Sequence, residues 1–404
     1  MKILIVCQRY WPEQFQITSI CEGLSDRGHD VTVLCGLPNV GVPEGKPGMV
    51  PKEYRGKNNR SQVHNGVRVI RSFEIGRRTG PLWRFLNYLS FWKSASHKVL
   101  EFDEQFDVTF AYQLSPATMA APALTLKKAK GTPYLLYCCD AWPEWVRAVL
   151  QDRFPLLERF FGRICKPLYC EADRLVVQTP SYIDYFLNVH HVQEERLSYI
   201  PQFSTDNAGV NLIPHEGVNL LFVGNMGALQ CIPLIIEAFS RCAHIDDFHL
   251  HFVGDGSELT TAKRLVDEKG LSGSVHFHGR KRFDEMPRYY GIADICVLAL
   301  DSSTLIGSTI PSKLQGYMGA AKPVVAAIEG GARFIIEEAD CGIVVSPGDA
   351  EAFSEAMSRL ALDSGLRERL GYNGRMYFEQ HFTQDAYLDA LEHSLLALAE
   401  KGDQ

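Results

Sequence analysis

Short apolar runs alternate with longer amphipathic stretches along the chain. Lys2–Cys7 reads as a buried strand and Phe15–Arg27 as a helix closed by Gly28. Asp30–Cys35 and Val67–Phe73 read as strands, Leu82–Phe102 as a long helix, and Val108–Tyr112 as the next strand. Pro116–Lys130 is helical, Tyr134–Cys138 and Arg174–Gln178 are strands, and a helix over Ser181–Leu187 closes the set. Apolar strands separated by helices predict a parallel sheet covered on both faces.

The pattern breaks over residues 202–217, where Pro201, Asn207, Gly209, Asn211, Pro214 and Gly217 mark a linker. It then restarts. Strands are expected at Asn219–Val223, Phe248–Val253, Val275–His278, Ile295–Leu298, Pro323–Ala327 and Gly342–Val345, and helices at Leu229–Cys242 and Leu259–Lys269. Gln380–Lys401 is a final amphipathic helix. The expected fold is α/β: two Rossmann-like, doubly wound domains, residues 1–205 and 206–380, followed by a helix in 381–404. Ligands of such sheets bind outside the carboxyl ends of the strands. Two sheets facing across a cleft would suit a reaction between two substrates. The Gly- and Pro-rich loop Leu37–Gln62 is long for a compact domain, which points to function or movement.

Length and composition fit this picture. The 404 residues suggest about two domains, and 46% hydrophobic with 22% charged residues is ordinary for a globular protein. The net charge of −7 argues against a nucleic-acid binder. The 11 cysteines form no CxxC pair, so reduced, buried thiols and a cytoplasmic location are expected, with no metal site. The apolar run after Met1-Lys2 is too short for a signal peptide, and no segment is long and apolar enough to span a membrane.

Candidate chemistry gathers behind the second set of strands. Gly224-Asn225-Met226-Gly227 follows one strand and Gly254-Asp255-Gly256 another. Such turns let backbone amides approach a diphosphate, although a tight turn alone also asks for glycine. Neither is a GxGxxG fingerprint, and none follows Val6, which argues against a nicotinamide oxidoreductase. Arg280 stands at a third strand end, where it meets a base or a phosphate or is merely solvated. In Ser308-Thr309-Ile310-Pro311-Ser312-Lys313, Pro311 suits a helix start. Ser308, Thr309, Ile310 and Ser312 are then candidate anion contacts, and Lys313 adds a full positive charge.

These residues carry a family resemblance. Val223-Gly224-Asn225, Val253-Gly254-Asp255-Gly256-Ser257, Phe277-His278-Gly279-Arg280, Pro311-Ser312-Lys313-Leu314-Gln315 and Lys322-Pro323-Val324-Val325 occur in order. In the first half they are joined by Tyr10-Trp11-Pro12-Glu13, Arg27-Gly28-His29-Asp30, Pro38-Asn39, Tyr112-Gln113-Leu114-Ser115-Pro116 and Asp140-Ala141-Trp142-Pro143-Glu144. Together they resemble glycosyltransferase family 4, in the bacterial capsule and O-antigen branch that includes the L-fucosamine transferases. The resemblance implies a GT-B fold and a UDP-sugar donor, of the N-acetylated hexosamine type, bound by the C-terminal half. It also implies a polyprenyl-diphosphate-linked saccharide acceptor on the N-terminal half, and retaining transfer with no metal or cofactor. Many members carry two glutamates seven residues apart; here those places hold Ser308 and Gly316. Gln230 stands where many relatives have a lysine, and Phe334 where an acid commonly follows the Gly-Gly turn.

Glycosyl transfer must neutralise charge growing on the leaving diphosphate. Lys313 is the best candidate, helped by Arg280 and the helix start. On the acceptor side, Asp140 follows a buried strand directly and is read as either a catalytic carboxylate or a helix cap. Glu144 is a weaker candidate. Glu13 either faces the cleft or lies exposed in a first turn, Gln113 and Ser115 sit at another strand end, and His29 is read as structural. Arg77–Phe102 mixes aromatics with cations, as peripheral membrane contacts at an inner membrane face do; a core helix with a basic edge is the alternative. The rival functions on the same fold are a nucleotide-sugar 2-epimerase, a glycosyl phosphorylase and a non-catalytic sugar-nucleotide sensor.

Overall fold

A computed structural model describes residues 1–40, 48–144, 146–147, 155–207, 209–210, 212–242, 244–301, 304–305 and 307–402. The expected linker residue Asn211, part of the Leu37–Gln62 loop and part of the segment after Asp140 that the cap reading takes as a helix lie outside the described residues.

The contacts divide the chain into two compact units. The first holds Met1–Gln178, Tyr182–Ile200 and Leu388–Gln404; the second holds Thr179–Ser181 and Pro201–Tyr387. The expected boundaries at 205/206 and 380/381 stand beside contact boundaries at 200/201 and 387/388.

The first unit is built on strands β1 (Lys2–Val6), β2 (Asp30–Cys35), β3 (Ser61–His64), β4 (Val67–Arg71), β5 (Val108–Gln113), β6 (Tyr134–Cys138), β7 (Arg174–Val177) and β8 (Leu197–Tyr199). They form one sheet in the order β3-β4-β2-β1-β5-β6-β7-β8, parallel throughout except for the β3–β4 hairpin. Ile3 pairs with Val31 on one side and Val108 on the other. Ile3, Leu4, Ile5 and Val6 are all buried because helices cover both faces. The longer helices are α1 (Ile17–Asp26), α2 (Pro81–Lys98), α3 (Ala121–Lys130) and α4 (Pro155–Cys170), and a short one over Ser181–Tyr185 stands where Ser181–Leu187 was expected.

The second unit carries β9 (Val218–Val223), β10 (Phe248–Val253), β11 (Val275–Gly279), β12 (Ile295–Ala299), β13 (Val324–Ala327) and β14 (Gly342–Val345). Its sheet runs β11-β10-β9-β12-β13-β14, all parallel. Around it lie α5 (Ile232–Ser240), α6 (Leu259–Glu268), α7 (Met286–Ile292), α8 (Ser312–Gly319), α9 (Gly331–Glu338), α10 (Ala350–Leu362) and α11 (Ser364–His381). One face buries Phe222, Phe252, Ile236 and Phe353, and the other Leu298, Tyr317, Ile335 and Phe378.

The last helix, α12 (Gln384–Gly402), is separated from α11 at Thr383, whose Oγ1 accepts the Ala386 amide at 3.2 Å and so caps the new helix. The single helix read over Gln380–Lys401 is therefore two segments. In the first unit, α12 presents Glu392 to Arg27 at 2.8 Å and to His29 at 2.7 Å, which ties it to the turn before β2. β3, β8 and α4 were not legible as elements. β3 and β8 are three- or four-residue edge or near-edge pieces with little buried surface, and Pro167 interrupts the pattern inside α4.

Candidate functional site

In the second unit the carboxyl ends of β9, β10 and β11 open onto adjoining cavities of ≈ 1010 Å³ and ≈ 720 Å³, which share Gly224, Asn225, Arg280 and Lys281. The glycine turns behind β9 and β10 are interlocked. The Gly224 amide donates to Val253 O at 2.8 Å, Met226 N to Asp255 O at 2.9 Å, and Gly254 N to Gly279 O at 3.0 Å. A side chain on Gly254 would meet Gly224 O at 1.8 Å, and one on Gly256 would meet the Met226 backbone at 2.5 Å. This corrects the expected amide cradle: the Gly224 and Gly254 amides are already engaged, and these glycines contribute close backbone packing and an open floor. Gly227 does not border either cavity; a side chain there would meet the Asn225 amide at 2.7 Å.

Lys313 enters this floor from the first turn of α8. Its residue keeps some exposure, but its ammonium sits 4.0 Å over the Phe222 ring and donates to the Gln230 side-chain oxygen. A Cβ on Gly224 would lie 3.5 Å from that ammonium. Burial pulls the Lys313 pKa down to about 7. Among the described residues no carboxylate pairs with it. Gln230, where the resemblance led to the expectation of a lysine, accepts from Lys313.

Pro311 is the residue before α8 rather than its first turn, and Leu314 N donates to Pro311 O at 3.0 Å. Pro311, Ser312, Lys313 and Gly316 border the larger cavity. Ser308, Thr309 and Ile310, the other expected anion contacts, are not among the residues that border it. Ser308 O accepts from Ser181 Oγ and from Gly331 N, both at 2.8 Å, and Ile310 packs into the core beside Gly331. Arg280 and Lys281 border both cavities, whereas Arg282 is held by Asp284 at 2.7 Å.

Two polar residues that the motif reading missed complete this pocket. The Tyr290 hydroxyl would lie 2.8 Å from a Cβ on Gly316, and Asn207 Nδ2 donates to Gly316 O at 3.3 Å. A glutamate at 316 would thus collide with a phenol. Tyr290 stands on α7 in no recognisable spacing, so only the fold reveals it.

In the first unit, Gln113, Ser115 and Asp140 meet at the ends of β5 and β6. Ser115 Oγ donates to Asp140 Oδ2 at 2.7 Å and accepts from Trp142 Nε1 at 3.0 Å. Gln113 is fully buried and its amide donates to the Asp140 and Leu114 carbonyls at 2.8 and 2.9 Å, so it braces the turn. Glu144 is paired with Arg147 at 3.0 Å.

Glu13 is neither exposed nor facing open space. It is buried, accepts the Asn39 and Val40 amides at 2.7 and 2.6 Å, and lies 3.7 Å from Arg9. Burial pushes its pKa up to about 7 against the pull of Arg9. Arg9 also binds Glu74 at 2.8 Å and Asn87 at 2.8 Å. Glu13 therefore pins the start of the long loop, a role its motif position did not reveal.

Among the described residues no group of three or more His, Cys, Asp or Glu side chains is arranged to hold a metal ion, and no helix is long and apolar enough to cross a membrane.

Comparisons with known proteins agree with this layout. Residues 14–202 match a glycosyl transferase 4-like domain, and residues 204–377 match glycosyl transferases group 1. The lipopolysaccharide core biosynthesis glycosyltransferase LpsE of Rhizobium meliloti is 29% identical over 177 residues, 44% of this chain and 49% of that protein. The probable glycosyltransferase WbjE of Pseudomonas aeruginosa is 26% identical over 265 residues, 61% of this chain and 64% of its own. The matched regions thus span about half to two thirds of the length of these curated relatives. The structure of Anabaena Alr3699/HepE in complex with UDP superposes with a TM-score of 0.67 at 14% identity, covering 98% of this chain and 100% of that one; at such identity the likeness shows the fold alone.

Proposed function

We propose that this chain, which belongs to the GT-B glycosyltransferases, moves a sugar from a UDP-sugar to a lipid-linked saccharide in the making of a surface polysaccharide. The observation that carries the reading is Lys313: a cation with no carboxylate partner among the described residues, held on an open cavity floor with Arg280 and Lys281 on the same walls. A diphosphate supplies the missing counter-charge, and Asn225, Asn207 and the Tyr290 hydroxyl are the polar groups available to the rest of the donor. In the transfer, the bond from the anomeric carbon to the diphosphate breaks and a bond to the acceptor oxygen forms. The acceptor proton passes to the leaving phosphate, and configuration is retained. Lys313 and Arg280 meet the charge that grows on that phosphate. Asp140, oriented by Ser115, positions the acceptor hydroxyl. The sugar is of the N-acetylated hexosamine type, and no metal is required because these side chains supply the positive charge.

The test is incubation with radiolabelled UDP-sugars, with and without a polyprenyl-diphosphate-linked saccharide. Label moving to lipid only when acceptor is present supports transfer. An altered sugar released without acceptor supports the epimerase instead, and binding without turnover supports a sensor.

A further inference from the structure

A further cavity, of ≈ 640 Å³, lies wholly in the first unit between α2 and α4. Its size is within the range of roughly 300–1,000 Å³ usual for small-molecule sites. Its walls are apolar and largely aromatic: Phe85, Tyr88 and Trp92 from α2, Phe160 and Phe161 from α4, and Trp142. Leu82, Phe85, Leu156 and Phe160 leave 48–79% of their surface exposed at or beside it. Four large apolar side chains on two neighbouring helices exceed the scattered exposure that a soluble surface tolerates without a reason.

The frame of this groove is cationic. Arg84 borders it, Arg78 lies 4.4 Å over Trp83, and Arg77 lies 5.5 Å over Tyr88. Arg159, Arg163 and Lys166 are exposed on α4. None of these six pairs with a carboxylate among the described residues. Glu158, the one acid on α4, is already paired with Arg147 at 3.2 Å. The inner end leads to the acceptor-side carboxylate: Trp142 forms a wall, its Nε1 donates to Ser115, and Ser115 donates to Asp140.

We propose that the α2–α4 groove binds the hydrocarbon chain of a phosphate-headed lipid, with Arg78 and Arg84 meeting the phosphate and the head carried toward Asp140. The assignment rests on the transferase reading for its purpose, since the occupant is the acceptor's own chain. Charge selects the occupant: the apolar walls take any alkyl chain, but six cations with no carboxylate partner among the described residues favour an anionic head over a neutral one.

Trp92 and Trp142 in the walls supply the readout. The full chain is titrated with a bromine-bearing dodecyl phosphate kept below its micelle concentration. Saturable quenching of tryptophan fluorescence is expected, with affinity falling at least about tenfold in Phe85→Asp/Phe160→Asp and in Arg84→Gln. Both phenylalanines are half-exposed, so the double variant should keep its fold, and an unchanged affinity for UDP, measured by calorimetry, checks that it does. No saturable quenching, equal affinity for a brominated dodecyl glucoside, or quenching seen only with phosphatidylglycerol vesicles each overturns the proposal. If quenching saturates but wild-type protein fails to bind UDP, the transferase reading falls and the groove stands. The reverse result removes the groove alone.

Discussion

At Lys313, burial of the ammonium over Phe222 lowers the pKa to about 7 from the ordinary 10.5. The unfolded chain therefore binds an extra proton between those two values, and this residue's contribution makes folding stability rise with pH from about 7 to 10.5. Lys313→Met should flatten that slope and raise the melting temperature near neutral pH, while weakening UDP binding by at least about tenfold. A fall in melting temperature with UDP affinity preserved would remove Lys313 from the donor site. In the wild type, UDP affinity should decline by up to about tenfold per pH unit above 7, because the ammonium form must be restored before it meets the diphosphate. Asp140 makes a different prediction. Its Ser115 hydrogen bond survives in Asp140→Asn, so turnover should fall with little change in melting temperature. Equal losses of both would make Asp140 a brace.

At the scale of elements, β10 and β11 place four histidines on one face. His251 is the register partner of His276 with ring centroids 4.8 Å apart, and His251 Nδ1 lies 3.0 Å from His278 Nε2. Burial, then the charges of His276, His278, His249 and His215, pulls His251 down to about 3. Burial first, with Lys281 and Arg288 among the neighbours, also lowers His278. Because the unfolded chain protonates near 6.5, stability should drain away as pH falls from there toward 3. Calorimetry of His251→Phe should show a shallower acid loss than wild type. The glycine turns predict a steric effect: Gly254→Ala would drive a methyl into Gly224 O at a backbone φ of +153° and should cost about 1–3 kcal/mol or more, read by denaturant unfolding. The strands bearing these features were legible because each is a short apolar run ending in a turn. The histidine stack was not, because it depends on two strands lying side by side in one register.

Across the whole molecule, the two parallel sheets followed from periodicity and the GT-B class from ordered motifs, whereas α4, α7, α9, α10 and α11 were not read from the sequence. Side-chain direction decided what the sequence left open. Ser308 and Ile310 sit five and three residues from Lys313 yet turn toward Gly331, while Tyr290 and Asn207 arrive at the pocket from distant segments. Glu13 shows the same lesson: a motif position marked it, but only the packing of Arg9, Asn39 and Val40 shows it to be a buried pin. The final helix makes a prediction at this scale. Leu388, Leu391, Leu395 and Leu398 are buried on it, so removing residues 388–404 should expose about 1.5–3 kcal/mol of burial per leucine and strand Arg27 and His29. Such a truncation should be insoluble or melt far below the full chain.

The position of Lys313 on the cavity floor has a kinetic consequence. A grip directed at the phosphates cannot distinguish a nucleotide that still carries its sugar from one that has lost it. The spent nucleotide should therefore linger, making its departure the slow step of each cycle and making added UDP a strong competitor of the substrate.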